Sequence, residues 1–280
     1  MANAKKENGT NGGGMMTGII IASCILVGII VWKFIMGAPG NFENEKAMIE
    51  AGAEAGHPKA GNYLAMVYKG GAIVPVLLGC LLMVIVFSFE RYFVISKASG
   101  TGNLDKFMAT VQGDIAQGNI DSAIAACDKQ KGSVANAIKS ALIKYQEVKK
   151  EGFNSEEAAE MIHKEIEEAT SLEMPMLEKH MTILSTLVAL GTLAGLLGTV
   201  TGMIKAFGAL ATAGTPDQAA LANGISEALI NTATGIATSA LAIVTYNFFT
   251  SKIDTLTYSI DEAGSTIVNT YRKFRGSLKS

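Results

Sequence analysis

Four stretches of the chain contain no Asp, Glu, Lys or Arg, and they constrain the fold more than any other feature. They cover residues 8–32, 70–89, 181–204 and 228–251 of the 280-residue sequence. A helix needs about 20 apolar residues to cross the roughly 30 Å hydrocarbon layer of a membrane. Each stretch is long enough, so the sequence predicts an integral membrane protein with three or four spans.

The charge balance and the reactive side chains exclude several classes of function. Charged residues form only 17% of the chain and the formal net charge is −2, which gives no electrostatic reason to expect a nucleic-acid partner. Three cysteines without a Cys-x-x-Cys spacing indicate packed thiols rather than a disulfide framework. No phosphate-binding loop or nucleophile motif is present, and the three histidines lie far apart in the sequence. We therefore expect neither an enzyme nor a metal or cofactor site.

The first apolar run, residues 15–35, is compatible with a signal peptide or with a retained helix. Its polar n-region is long, and Pro39 follows directly after the only small-residue cleavage site. We therefore expect the helix to be retained. The lysines of the N-terminal segment and the basic residues of the C-terminal tail favour a cytoplasmic location for both termini under the positive-inside rule.

Residues 96–180 form the only region large enough for a water-soluble domain. Apolar side chains recur there at helical spacing between residues 104 and 145. A further helix is predicted to start at Asn154, and no stop signal follows until beyond the next span. We therefore expect one continuous helix from Asn154 to about Ala211, with a kink near Pro175.

The last apolar span separates into two faces when it is laid out as a helix. Apolar side chains occupy one side, and Glu227, Asn231, Thr234 and Thr238 line the other. Hydrocarbon satisfies no polar group, so the polar side must face other helices or water. Glu227 lies deep in a helix predicted to start at the cap residue Thr215, which suggests an ion or proton site. The alternative is an interfacial glutamate in the outer headgroup layer.

The preceding span carries a glycine stripe, which consists of Gly191, Gly195, Gly198 and Gly202 at spacings of 4, 3 and 4. Glycines on one helix face let a neighbouring helix approach closely, so we expect these residues to serve helix packing. Thr199 lies beside the stripe. Its hydroxyl can bond the carbonyl four residues earlier in its own helix or line a polar path.

Two strings in these spans carry a resemblance to a known family. Residues 195–203 read GLLGTVTGM and residues 224–235 read GISEALINTATG, and Tyr246-Asn247 follows them. The strings resemble the MotA/TolQ/ExbB proton channel family, and its ExbB/TolQ branch most closely. Weaker similarity extends over residues 71–249.

The resemblance implies an architecture, a set of partners and a division of roles. Members form pentamers of long helices around the transmembrane helices of an ExbD-like or TolR-like single-span partner, whose membrane Asp moves protons together with polar channel residues. Matched position by position, the channel glutamate falls on Glu227 and the two channel threonines fall on Thr199 and Thr232. Asn231, Thr234 and Thr238 would line the same pore.

The resemblance also implies where each segment lies. We expect an all-α integral membrane protein whose long helices extend into a cytoplasmic helical domain, assembled as an oligomeric ring around a central pore in the bacterial inner membrane. The expected segments are a disordered N-terminus (1–14), an extra transmembrane helix (15–36), a periplasmic segment (37–70), a transmembrane helix (71–95), the cytoplasmic domain (96–180), a transmembrane helix (181–213), a periplasmic turn with the last transmembrane helix (214–251) and a cytoplasmic C-terminal helix (252–280).

The implied function is that of an ExbB-like proton-channel subunit, which couples the proton motive force to TonB-dependent-type transport across the outer membrane. Protons, membrane lipids, an ExbD-like protein and a TonB-like protein would be its partners. A TolQ-like or MotA-like motor with a different load is one alternative, and a non-conducting membrane scaffold is another. The extra first span and Lys205, which stands where many relatives are uncharged, depart from the family pattern.

Overall fold

The computed structural model describes residues 10–43, 57–212 and 218–277 of the chain. Regular structure in these ranges is helical, apart from one isolated β-bridge between Phe42 and Pro58. The predicted all-α class is therefore confirmed for the described residues. The main helices are α1 (Thr10–Ile30, continued by a π-helical segment Val31–Met36), α2 (Tyr63–Tyr68), α3 (Val74–Ala98), α4 (Leu104–Ala116), α5 (Ile120–Gln130), α6 (Gly132–Glu151), α7 (Ser155–Glu178), α8 (Met181–Thr212) and α9 (Gln218–Ser277).

Four helical segments are long and apolar enough to cross a membrane. They are Gly14–Met36, Gly71–Ala98, Ser155–Ala211 and Gln218–Phe274. Because they overlap the four stretches that lack charge, the chain is a membrane protein.

The helices divide into two compact units. The first unit contains the described residues up to Ser88 together with Ile183–Thr245. The second contains Phe89–Thr182 and the described residues from Tyr246 onward. Helix α9 contributes its first part to the first unit and its later part to the second.

In the first unit, α1 packs against the start of α3 through glycine. A Cβ atom built on Gly28 would lie 2.7 Å from the carbonyl oxygen of Pro75 and 2.9 Å from the backbone nitrogen of Gly79. Just beyond α1, the Trp32 ring stacks on Tyr68 with their centroids 4.7 Å apart, and the indole N–H donates to the Tyr68 carbonyl over 3.3 Å. The first apolar helix is therefore packed on α3 through glycine, and its continuation contacts α2 through aromatic rings.

The segment between these two helices is only partly described. Within the described part, α2 is a short helix whose N-cap Asn62 accepts hydrogen bonds from the backbone N–H groups of Leu64 and Ala65, at 3.1 and 3.3 Å. Residues 44–56 of this segment lie outside the described residues. The predicted Thr215 cap also lies outside them.

The second unit has an apolar core of ordinary soluble type. Val134, Ile138, Leu142 and Tyr145 of α6 are all buried at the helical spacing that the sequence shows. The Tyr145 ring packs edge-on against Tyr271 with the centroids 5.1 Å apart.

All three cysteines are free and buried, which confirms their interpretation as packed thiols.

The expectation of one continuous helix from Asn154 to about Ala211 is wrong. Helix α7 ends at Glu178 and α8 begins at Met181, because His180 adopts a left-handed φ of 66°. The break lies after Pro175, which α7 accommodates within its length.

A buried arginine accounts for the position of this break. The Arg91 guanidinium donates to the carbonyl oxygens of Met176 and Leu177, both at 3.1 Å, and so satisfies two groups at the end of α7. Glu90 lies between Arg91 and His180, and its carboxylate is 3.1 Å from the His180 ring. These contacts come from residues far apart in the sequence, which local helix signals do not report.

Candidate functional site

The site is built on a close contact between α8 and α9, and glycine makes that contact possible. Gly191, Gly195, Gly198 and Gly202 are all buried. A Cβ atom on Gly202 would lie 2.8 Å from the backbone nitrogen of Ala228. The glycine stripe of α8 therefore lies against α9 of the same chain, with backbone atoms of α9 close to Gly191, Gly195 and Gly202 and the Asn231 side chain close to Gly198.

The contact is matched from the α9 side. A Cβ atom on Gly235 would lie 2.8 Å from the Cα atom of Gly195. Backbone atoms cannot rotate away as side-chain ends do, so a larger residue at either position would force the two helices apart.

The close approach brings Thr199 and Thr232 together. Their hydroxyl oxygens are in direct contact across the interface, and both side chains are half-buried. Each hydroxyl also lies within hydrogen-bond distance of the carbonyl four residues earlier in its own helix, Thr199 of Gly195 at 3.2 Å and Thr232 of Ala228 at 3.1 Å. Because each hydroxyl has one proton, the one that donates to the other threonine does not donate to its own carbonyl at the same time. Thr199 was expected either to bond the carbonyl four residues earlier or to line a polar path. Its hydroxyl lies near that carbonyl and also contacts the Thr232 hydroxyl.

The three other predicted polar residues of α9 differ in what they contact. Asn231 is fully buried and its amide donates to the carbonyl of Gly70 over 2.8 Å. Among the described residues, its side-chain oxygen accepts no hydrogen bond. Thr234 and Thr238 donate to carbonyls one turn back in α9, at 2.8 and 2.9 Å. Their hydroxyls therefore serve their own helix.

Glu227 lies at the outer end of this polar series and is paired with a lysine. Its carboxylate oxygen is 2.6 Å from the ammonium nitrogen of Lys205 on α8. The Glu227 side chain is 13% exposed, whereas that of Lys205 is 58% exposed. The carboxylate also touches Gly71, whose φ of 78° and missing side chain leave room for it.

Sequence reasoning did not find the contacts of Lys205 or of the Gly70–Gly71 turn. Lys205 was singled out only as a departure from the family pattern. The available signal was that it is the single charged residue of α8, placed near the same membrane depth as Glu227. A buried carboxylate in a membrane span needs a compensating partner, and a lone lysine in a neighbouring span is the natural one.

A cavity of about 750 Å³ opens beside the ion pair. Lys205 and Glu227 line it, together with Trp32, Tyr68, Lys69 and Asn223. The described residues contain no group of three or more His, Cys, Asp or Glu that could hold a metal ion.

The two faces of α9 lie as a membrane environment requires. The apolar side chains Leu229, Ile236 and Val244 are exposed, whereas Asn231 and Thr238 are inside. In the single chain the polar face is covered by α8 and the Gly70–Gly71 turn. Its expected role in lining a pore between subunits stays a prediction.

Comparison with known proteins gives a family match over this region. Residues 133–262 match the model of the MotA/TolQ/ExbB proton channel family, which confirms the resemblance inferred from the sequence. The matched stretch contains the glycine stripe, Thr199, Thr232 and Glu227. The first apolar helix and α3 lie outside it.

Individual relatives agree with the family match. The chain is 31% identical over 111 residues to a biopolymer transport protein named ExbB-like 3 of Synechocystis sp., 33% identical over 105 residues to the Tol-Pal system protein TolQ of Pseudomonas aeruginosa, and 30% identical over 115 residues to the biopolymer transport protein ExbB of Xanthomonas campestris pv. campestris. These alignments cover 39%, 38% and 39% of this chain. The chain spans about half the length of these relatives, namely 53%, 46% and 46%.

Proposed function

We propose, from the family match over residues 133–262 and from the polar contacts within it, that this chain is an ExbB-like proton-channel subunit of an inner-membrane motor. The observation that carries the proposal is the contact of Thr199 and Thr232 between two apolar helices, with Glu227 in the same series. Protons would cross at this interface, and the work would drive transport across the outer membrane.

The chemistry of the three side chains suits proton movement. A carboxylate accepts and releases a proton, and a hydroxyl donates one hydrogen bond while it accepts another. Thr199 and Thr232 can therefore hold a water or a partner's carboxylic acid next to the path. Each proton that crosses supplies about 2.3 kcal/mol per 100 mV of membrane potential.

Assembly follows from the exposed faces. The exposed apolar side of α9, with Leu229, Ile236 and Val244, has lipid or another subunit as its partner in a membrane. The proposal places five copies in a ring around the spans of an ExbD-like partner, with a TonB-like protein receiving the work. The C-terminus and residues 96–180 would lie in the cytoplasm, and residues 37–70 in the periplasm.

Proton flux in vesicles tests the proposal. Vesicles that contain the chain and an ExbD-like single-span protein should acidify inside under an imposed gradient, whereas vesicles with the partner alone should not. The Glu227→Gln and Glu227→Ala variants should both lose flux while still assembling with the partner. Full flux in Glu227→Gln with loss in Glu227→Ala would make Glu227 a hydrogen-bonding strut.

Two other outcomes would replace the proposal. Absence of flux in an assembled complex would identify a non-conducting scaffold. Because one relative is named TolQ, flux that requires a TolR-like partner instead of an ExbD-like one would indicate a Tol-type load. Native mass measurement of the purified ring tests the count of five subunits.

A further inference from the structure

The ion pair at Glu227 is asymmetric, and the asymmetry has a functional consequence. The carboxylate is almost covered, at 13% exposure, while the Lys205 side chain is 58% exposed. The ammonium nitrogen lies 2.6 Å from the carboxylate oxygen. Lys205 therefore occupies an oxygen of a carboxylate that itself lines the cavity.

Backbone of the Gly70–Gly71 turn also lies close to the carboxylate. Gly71 lies in contact with it, and a side chain at that position would overlap the carboxylate. One turn further along α9, Asn231 holds the same turn through its 2.8 Å bond to the Gly70 carbonyl. A proton that reaches Glu227 from the cavity therefore meets a carboxylate whose oxygen is already paired with the Lys205 ammonium group.

The charged groups around Glu227 favour exclusion of cations. Lys205 and Lys69 line the cavity, and Glu227 is the one carboxylate among its described lining residues. Tyr68 is the other titratable group there, and burial raises the pKa of its phenol, so it stays neutral. The Lys205 ammonium group beside the carboxylate lowers the local concentration of hydronium ions.

We propose that Lys205 keeps the proton path of this chain closed until an acidic side chain of a partner protein draws the ammonium group away from Glu227. While the ion pair is intact, the Glu227 oxygen is occupied and the Lys205 ammonium group repels protons. Once the pair opens, the carboxylate accepts a proton from cavity water and passes it to the next acceptor. Lys205 thus acts as a positioning residue, and this role rests on the proposed proton-channel function.

The chemistry of the lysine suits such an exchange. Its flexible four-carbon stem, more than half exposed, can turn from one carboxylate to another without unpacking a helix. Exchange of one ion pair for another keeps the ammonium group compensated, and the proton that Glu227 then accepts neutralises the carboxylate left behind.

Proton flux into vesicles that contain the chain without a partner tests the proposal. The wild type should conduct little, and Lys205→Gln should raise the flux by about tenfold, the size of effect that one charge has on the local concentration of ions. The double variant Lys205→Gln with Glu227→Gln should return to the low flux, because no carboxylate remains. Lys33→Gln removes a lysine from the first span that does not line the cavity, and should leave the flux low.

A second form of the experiment changes the charge after the ring has assembled. In Lys205→Cys, an aminoethyl methanethiosulfonate reagent adds a positive charge, and methyl methanethiosulfonate adds a neutral group. The flux should fall only with the positive reagent. The natural cysteines Cys24, Cys80 and Cys127 are buried, so the wild type should not respond to either reagent.

The outcomes separate this proposal from the proposed function. Equal partner-free flux in the wild type, Lys205→Gln and both forms of Lys205→Cys would overturn the role of Lys205. If the wild type with its partner also conducts no protons, the channel function itself fails. If the wild type conducts protons with its partner and the partner-free flux of Lys205→Gln equals that of the wild type, the channel function stands and only the proposed role of Lys205 is removed.

Discussion

Both units of this protein are built from helices, but they differ in which side chains those helices bury. In the part of α9 that belongs to the first unit, Asn231 and Thr238 are fully buried, while Leu229 and Val244 are 65% and 66% exposed. In α6 of the second unit, Val134 and Leu142 are fully buried, and the lysines face outward. The solvent explains the difference, because hydrocarbon satisfies no polar group and water does.

The two interiors also differ in how the helices approach one another. Large apolar side chains fill the space between helices in the second unit, and their removal from water drives the packing. Lipid tails are as apolar as leucine, so the same force does not hold α8 to α9. In the first unit, the glycine stripe lets α8 and α9 approach closely, and the resulting close packing holds the two helices together.

The sharpest way to break this contrast is to add a side chain where backbone meets backbone. Gly235→Leu should lower the free energy of unfolding by more than about 3 kcal/mol, because its Cβ atom alone would lie 2.8 Å from the Cα atom of Gly195. Denaturation in mixed detergent measures the loss, and native mass measurement shows whether the variant still forms the proposed ring.

Gly208→Leu is the matched control, since it lies on α8 as well and a Cβ atom there has no heavy atom within 4 Å. It should keep wild-type stability. If both variants are equally stable, glycine does not determine the α8–α9 contact.

The second test makes the opposite change in the second unit. Leu142→Ala should cost about 3 kcal/mol, because Leu142 is fully buried and its removal leaves a cavity. The neighbouring Ile143 is 42% exposed, so Ile143→Ala should cost much less. Similar losses for the two variants in denaturant unfolding would mean that this unit lacks the packed core described.

Helical periodicity predicted most of these faces from the sequence. It separated Asn231 and Thr238 from Leu229 and Val244, because residues three and four apart share a helix face whatever the fold. The glycine stripe was found in the same way. Periodicity shows which residues share a face, and it does not show which helix covers that face.

What the sequence could not predict depends on contacts between distant residues. The helix break at His180 coincides with hydrogen bonds from Arg91 to the end of α7. The sequence near His180 contains no helix-end signal that predicts this break. The pair of Lys205 with Glu227 depends in the same way on how α8 and α9 meet. Both lie where a charge must be compensated, which is a property of the packed molecule.

A third test uses pH to compare the buried thiol of the second unit with its unfolded form. Burial raises the pKa of Cys127 from 9.0 to about 12. Between these values the unfolded chain loses a proton that the folded chain keeps, so stability falls as the pH rises above 9. The expected loss from this thiol at pH 10 is about 1 kcal/mol.

Cys127→Ala isolates this contribution. The variant should lose less stability between pH 8 and pH 10 than the wild type does, by that same amount of about 1 kcal/mol. Parallel pH curves for the two proteins would show that Cys127 is not protected from ionisation in the folded state.

The smallest effect should come from the hydroxyl groups inside the first unit, and it distinguishes two kinds of hydrogen bond. Thr238 donates to the carbonyl of Thr234 in its own helix, a bond that forms without α8. Thr192 donates across the interface to the hydroxyl of Ser239, over 2.9 Å. Thr238→Val should therefore cost about 0.5 kcal/mol, and Thr192→Val about 1 kcal/mol because Ser239 loses a partner on α8. Detergent denaturation of the two variants measures the difference, and an equal cost would show that the bond between helices adds nothing beyond glycine packing.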